Sequence, residues 1–208
     1  METTKLFSIC EIMIQDILEI LQQAYTNNWI TARDGNISYK SDDKHQFLIT
    51  PSGLRKQELK ENQLVKIKMT EDGWEQMTNL NLKPSGEIEL HYGLLKDIET
   101  ERCVVHLHPT YTIAALYAGI DISKLVLEFP ELGRYTKVAP SVEEVEPISK
   151  ELADRCMENL NIDDNGNCEF DIVAIDRHGV VAIDETPWKA FEHIERLEHI
   201  CKIVLSAK

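Results

Sequence analysis

Apolar residues recur at three- and four-residue intervals near the start of the chain: Ile9, Ile12, Met13, Ile17, Leu18, Ile20 and Leu21. That spacing predicts an amphipathic helix over residues 6–25. The polar, turn-rich stretch "TARDGNISYK" follows, then the apolar run "QFLIT". "PSGLRKQEL" breaks that run and opens a short helix, "LVKIKM" alternates as a strand does, and "EDGW" turns the chain into a hairpin. Helical spacing returns in "SGEIELHYGLLKD" (Ile88, Leu90, His91, Leu94, Leu95), with Ser85 as the expected cap.

"CVVHLH" predicts a strand and "PTYTIAALYAG" the helix after it. "KLVLEF" and "KVAP" read as two further short strands. "SVEEVEPISKELADRCMENL" reads as a helix entered at Ser141, with Pro147 marking a break or a late start. "DDNGN" reads as a loop. "FDIVAID" and "GVVAID" are strands on either side of a turn. The chain closes on a helix, "TPWKAFEHIERLEHICKIVLSA", capped by Thr186 with Pro187 at its first position. Strands and helices mix without a strict strand–helix–strand rhythm, so a layered α/β or α+β domain is expected. No repeat, low-complexity segment or linker divides residues 1–208.

Bulk properties narrow the function. With 43% hydrophobic residues, 208 positions can build one large core. A formal net charge of −14 argues against nucleic-acid binding, because phosphate contacts need a basic surface. The five cysteines (Cys10, Cys103, Cys156, Cys168, Cys201) form no CxxC pair, and the start lacks a basic flank and a small-residue cleavage site. No apolar run approaches the roughly 20 residues of a membrane span. A cytoplasmic protein with reduced thiols and no membrane partner is the expectation.

The candidate chemistry begins at "VVHLHPT". Residues i and i+2 of a strand share a face, so His106 and His108 project together and suit one metal ion. The alternative is a core hydrogen bond from one imidazole and an incidental second. His178 lies between two apolar runs, just before Gly179, and is a plausible third corner. His91, His193, His199 and His45 read as helix-packing or surface residues. The loops "DGNIS", "TPSGL" and "KPSGE" offer backbone N–H groups suited to an anion. Glu87 follows the third loop.

The ordered set "GNIS", "ITPSG", "KPSGE", "VVHLHP" and "RHGVVA…ET…AFEHIERLE" resembles the class II aldolase/adducin family from about residue 9 onward. The resemblance implies an α/β fold: a three-layer α/β/α sandwich around a central, largely antiparallel sheet, commonly assembled as a homotetramer. It implies a metal-dependent lyase of the fuculose-phosphate aldolase type, acting on a sugar phosphate through a metal-stabilised enediolate. His106, His108 and His178 would hold a divalent metal, zinc first, with Mn2+ or Fe2+ as alternatives. Glu87 would be the catalytic acid/base and could also ligate the resting metal. Gly35, Asn36, Ser52, Gly53, Ser85 and Gly86 would hold the substrate phosphate. The same scaffold carries sugar-phosphate 4-epimerases, methylthioribulose-phosphate dehydratases and non-catalytic adducin-like modules. "PSGE" replaces the more usual Ser-Ser pair, and the tyrosine-bearing C-terminal tail of the aldolases is expected to be absent. Glu131, Arg134 and Tyr135 are candidates for an altered proton donor or substrate contact, or else for an exposed interface loop.

Overall fold

A computed structural model describes residues 9–41, 45–163 and 166–207. The start of the first predicted helix and the centre of "DDNGN" fall outside the described residues. Seven strands form one sheet: β1 (Asn36–Lys40), β2 (Gln46–Ile49), β3 (Val65–Thr70), β4 (Gly73–Gln76), β5 (Arg102–Leu107), β6 (Ile172–Ile175) and β7 (Gly179–Asp184). Their order is β4-β3-β2-β1-β5-β7-β6, and every neighbouring pair is antiparallel. The helices are α1 (Ile9–Thr26), α2 (Ile88–Leu95), α3 (Thr110–Tyr117), α4 (Leu125–Glu128), α5 (Pro130–Tyr135), α6 (Lys150–Leu160) and α7 (Pro187–Ser206). Among them no single helix is long and apolar enough to cross a membrane.

The strand periodicity sorts the layers. Cys103, Val105 and Leu107 of β5 join Ile37 and Tyr39 of β1 in a core built with α1, α3 and α7. Val104 of the same strand faces the opposite core, with Phe47, Ile67, Val181 and residues of α2 and α6. The sheet is therefore buried on both faces, which is the three-layer sandwich. α7 presents Phe191, Ile194, Leu197 and Cys201 to the first core. Its start is fixed by the Thr186 side chain, which accepts the Lys189 N–H, with Pro187 following. From the same helix Glu198 accepts the N–H groups of Tyr111 and Thr112, capping α3 from a distance.

Five expectations need correction. "NISYK" is strand β1, buried along its whole length, and not a turn. "KLVLEF" is helical, forming α4, and Val138 of "KVAP" makes only an isolated bridge to Ile172. An apolar run this short fits either element; here it forms a helical turn that buries Leu125 in the first core. α6 begins late, capped by Ser149 and not Ser141, because Pro147 disfavours helix at the residue before it. Ser85 does not cap α2: Glu87 holds that position, and Ser85 Oγ accepts its N–H at 3.3 Å.

Candidate metal centre and anion cradle

The even-numbered positions of β1 and β5 carry the site. Asn36 pairs with His106 and Ser38 with Val104 across the two strands, so Asn36, Ser38 and His106 share the face toward α2. His108 continues one residue past β5, where its N–H donates to the Trp29 carbonyl. β7 is the other neighbour of β5, and the β6–β7 turn brings His178 to the same end of the sheet.

One ligand atom from each of His106, His108 and His178 lies within 4.8 Å of the others. Gly179 is what permits this approach. A Cβ there would sit 2.5 Å from the Leu107 carbonyl oxygen and 2.7 Å from the His108 ring. His106 Nδ1 lies 2.9 Å from the Val180 carbonyl, an acceptor only, so Nδ1 carries the proton and Nε2 is left with its lone pair. That lone pair faces His108 Nε2 at 3.0 Å and Glu87 Oε2 at 3.2 Å. Glu87 Oε1 lies 3.5 Å from His178 Nε2.

Burial, with His106 and His178 close by, pushes His108 down to about 3. Burial lowers His178 as well. Both imidazoles are therefore neutral donors near pH 7. Burial alone would raise Glu87, but the neighbouring His106 ring and the Asn36 amide outweigh it and hold the carboxyl at about 2. A carboxylate and three imidazoles thus converge on one point. Glu87 Oε1 and His178 Nδ1 are buried without a hydrogen-bond partner. Lone pairs facing each other at this range repel unless a cation or proton sits between them, so the donor set fits a divalent metal.

Behind Glu87 runs a chain of neutral groups. Asn36 Nδ2 donates to Glu87 Oε2 at 2.7 Å. Asn36 Oδ1 accepts from His91 Nε2, and His91 Nδ1 in turn accepts from Ser38 Oγ at 2.6 Å. Because the carboxylate can only accept, the amide must present its N–H₂ to Glu87. His91 then has to be the Nε2–H tautomer, and burial pushes it down to about 3, keeping it neutral. His91 is therefore no packing residue: it fixes the amide that fixes the carboxylate.

A cavity of about 210 Å³ opens beside this cluster. Arg33, Asp34, Gly35, Asn36, Ser52, Lys56, Ser85, Gly86, Glu87, His108 and His178 line it, with Pro147 and Ile148. Five of the six anion-binding candidates are brought together there; Gly53 is not among the lining residues. Its φ of +76° instead serves the turn after Ser52. Lys56 is a lining residue that the sequence reading passed over. Glu131 and Tyr135 line a separate cavity of about 270 Å³ with Arg196 and His199, and neither they nor Arg134 line the histidine cavity. Cys103, Cys156 and Cys201 are buried free thiols, each pushed up by burial, which removes them as nucleophiles here.

Comparison with known proteins places the chain. Residues 15–205 match the family described as the class II aldolase and adducin N-terminal domain. The chain is 25% identical over 190 residues to the L-fuculose phosphate aldolase of Methanococcus vannielii, covering 91% of this chain and 94% of that one. It is 27% identical over 214 residues to the methylthioribulose-1-phosphate dehydratase of Kluyveromyces lactis, covering 93% and 96%. Among solved structures, the sugar-phosphate aldolase of Thermotoga maritima superposes with a TM-score of 0.79 at 20% identity, over 96% of each chain.

Proposed function

The chain belongs to the class II aldolase and adducin family, and from that premise we propose that it is a divalent-metal-dependent lyase acting on a phosphorylated ketose, cleaving or forming a carbon–carbon bond. The observation that carries this reading is the convergence of three imidazoles, with Glu87 at 3.2 and 3.5 Å from two of them, beside a cradle of Ser and Gly residues.

His106, His108 and His178 would hold the metal, with zinc the first choice for a three-imidazole set. When bound, the ion supplies Lewis-acid polarisation of the substrate carbonyl. The chain's own residues do the rest. Gly35, Ser52, Ser85 and Gly86 hold the phosphate and so orient the reacting carbons. Glu87 Oε1, free of hydrogen bonds, is the atom that takes or returns the proton on the carbon beside the carbonyl. Asn36 keeps the other oxygen still. In the cleavage direction the Glu87 carboxylate takes the proton of the hydroxyl on the departing carbon, whose oxygen becomes the aldehyde oxygen; the carbon–carbon bond breaks, its electron pair stays on the carbon beside the carbonyl, and Glu87 returns the proton there. The exposed Tyr117, Leu127 and Tyr135 are apolar surface of the kind that a homotetramer would cover.

A second reading rests on the full-length likeness to methylthioribulose-1-phosphate dehydratase, as strong as the likeness to the aldolase. There Glu87 would remove the proton beside the carbonyl while hydroxide leaves from the next carbon as water. Incubating metal-replete protein with L-fuculose 1-phosphate and with methylthioribulose 1-phosphate separates the two. An aldolase yields two fragments; a dehydratase yields one product lighter by water. Glu87→Gln is expected to lower turnover by about 10²–10⁴-fold while retaining the metal. Turnover unaffected by that change, or neither substrate consumed, would overturn the assignment.

A further inference from the structure

We propose that Lys56 is the charged anchor for the phosphate end of the substrate, setting this site's preference for a dianion over a neutral sugar. The inference rests on the sugar-phosphate reading and deepens it. The family set carried over from the sequence is neutral at every position, so nothing in it predicts a fixed cation.

Lys56 lies in a short 3-10 turn three residues beyond Gly53, and its backbone N–H donates to the Ala32 carbonyl, which ties the turn to the loop ahead of β1. The side chain is only 3% exposed. Its Nζ donates to the Pro51 carbonyl at 2.8 Å, and among the described residues no carboxylate lies within ion-pair distance of it. Asp34 acts on it only from farther away, and burial, the larger influence, lowers its pKa. A buried ammonium with one carbonyl partner is an expensive group to keep unless something else meets its charge. It lines the cavity shared with Asp34, Ser52, Ser85, Gly86, His108 and His178, where Glu87 stands beside the histidines. Two of its three N–H donors remain for a ligand, and a phosphate monoester has the charge and acceptor oxygens to take them. A purely structural lysine would need only the Pro51 contact, which any neutral donor of similar length reproduces.

The test uses purified protein carrying the metal it retains, titrated with inorganic phosphate by calorimetry. Lys56→Gln keeps a donor for Pro51 without charge; Lys56→Arg keeps charge. Thermal melting of both variants verifies folding. Expected is phosphate binding at least about tenfold weaker in Lys56→Gln and retained within a few-fold in Lys56→Arg. Equal binding by wild type and Lys56→Gln would overturn the proposal. So would phosphate binding that vanishes in His106→Ala yet persists in Lys56→Gln, since the anion would then sit on the metal. Either failure leaves the lyase reading untouched, because that reading stands on ketose turnover.

Discussion

Two buried histidine clusters in this molecule use the same residue types and reach opposite ends. Near the start of α7, His193 is held on both ring nitrogens: Thr136 Oγ1 lies 2.9 Å from Nδ1, and Asp184 Oδ2 lies 3.0 Å from Nε2. Arg196 closes the set by donating to Thr136 Oγ1 at 3.2 Å. Burial would raise Asp184, but the His193 hydrogen bond and the Glu185 N–H bring it below the ordinary carboxylate range. Every polar atom there has a protein partner, and the cluster pins α7 to β7 and to the chain after α5. At the other cluster Glu87 Oε1 and His178 Nδ1 have none, and lone pairs confront one another across 3.0–3.2 Å. Function is thus marked by unmet hydrogen-bonding capacity beside a cavity, and not by a histidine next to a carboxylate.

The sharpest way to break the contrast is to strip the open cluster. A His106→Ala, His108→Ala double variant, dialysed and measured by elemental analysis, is expected to fall from about one equivalent of divalent metal per chain to under about a tenth. Metal retained in full would move the ion elsewhere. The closed cluster should answer differently. His193→Leu leaves Asp184 half-buried without its partner and is expected to cost about 2–3 kcal/mol of stability. Metal content should stay unchanged in that variant, and a loss there would erase the distinction.

Acid gives the most graded response. His91 and His108 stay neutral in the fold to about 3, against an ordinary 6.5, so the unfolded chain takes up protons first as pH falls. Each therefore weakens the metal-free fold progressively as pH falls from 6.5 toward 3. Glu87, held at about 2 against 4.5, adds a loss of the same sign below 4.5. Urea midpoints measured at pH 7, 5.5 and 4.5 should fall progressively. A flat profile would mean that these groups are not buried as described.

How legible all this was depended on periodicity. His106 and His108 announced themselves through the two-residue strand repeat, and His178 through its turn between two apolar runs. α7 was legible to its cap, because Thr186-Pro187 is a chemical instruction. β1 was not, since Asn36, Ser38 and Lys40 look like a solvent face when they in fact point into the protein, where His91 of α2 meets the first two and the Thr100 carbonyl meets the third. Polar alternation is read as exposure only when the partner layer is unknown. His91 was lost for the same reason, as its meaning depends on Asn36, 55 positions away. Lys56 carried no local signal: its burial is a property of the loop ahead of β1 that closes over it.

The register of β5 against β7 has a consequence for when a newly made chain could take up the proposed metal. His178 reaches the site only when β7 pairs with β5, a contact spanning more than 70 positions, as in Val104 opposite Ile183. Non-local pairings of this kind form late, after the loop entropy has been met. A chain still emerging from the ribosome therefore holds His106, His108 and Glu87 well before the third imidazole exists. The complete donor set is available only to the finished protein, so an ion held there would seal an already folded sheet and would not nucleate it.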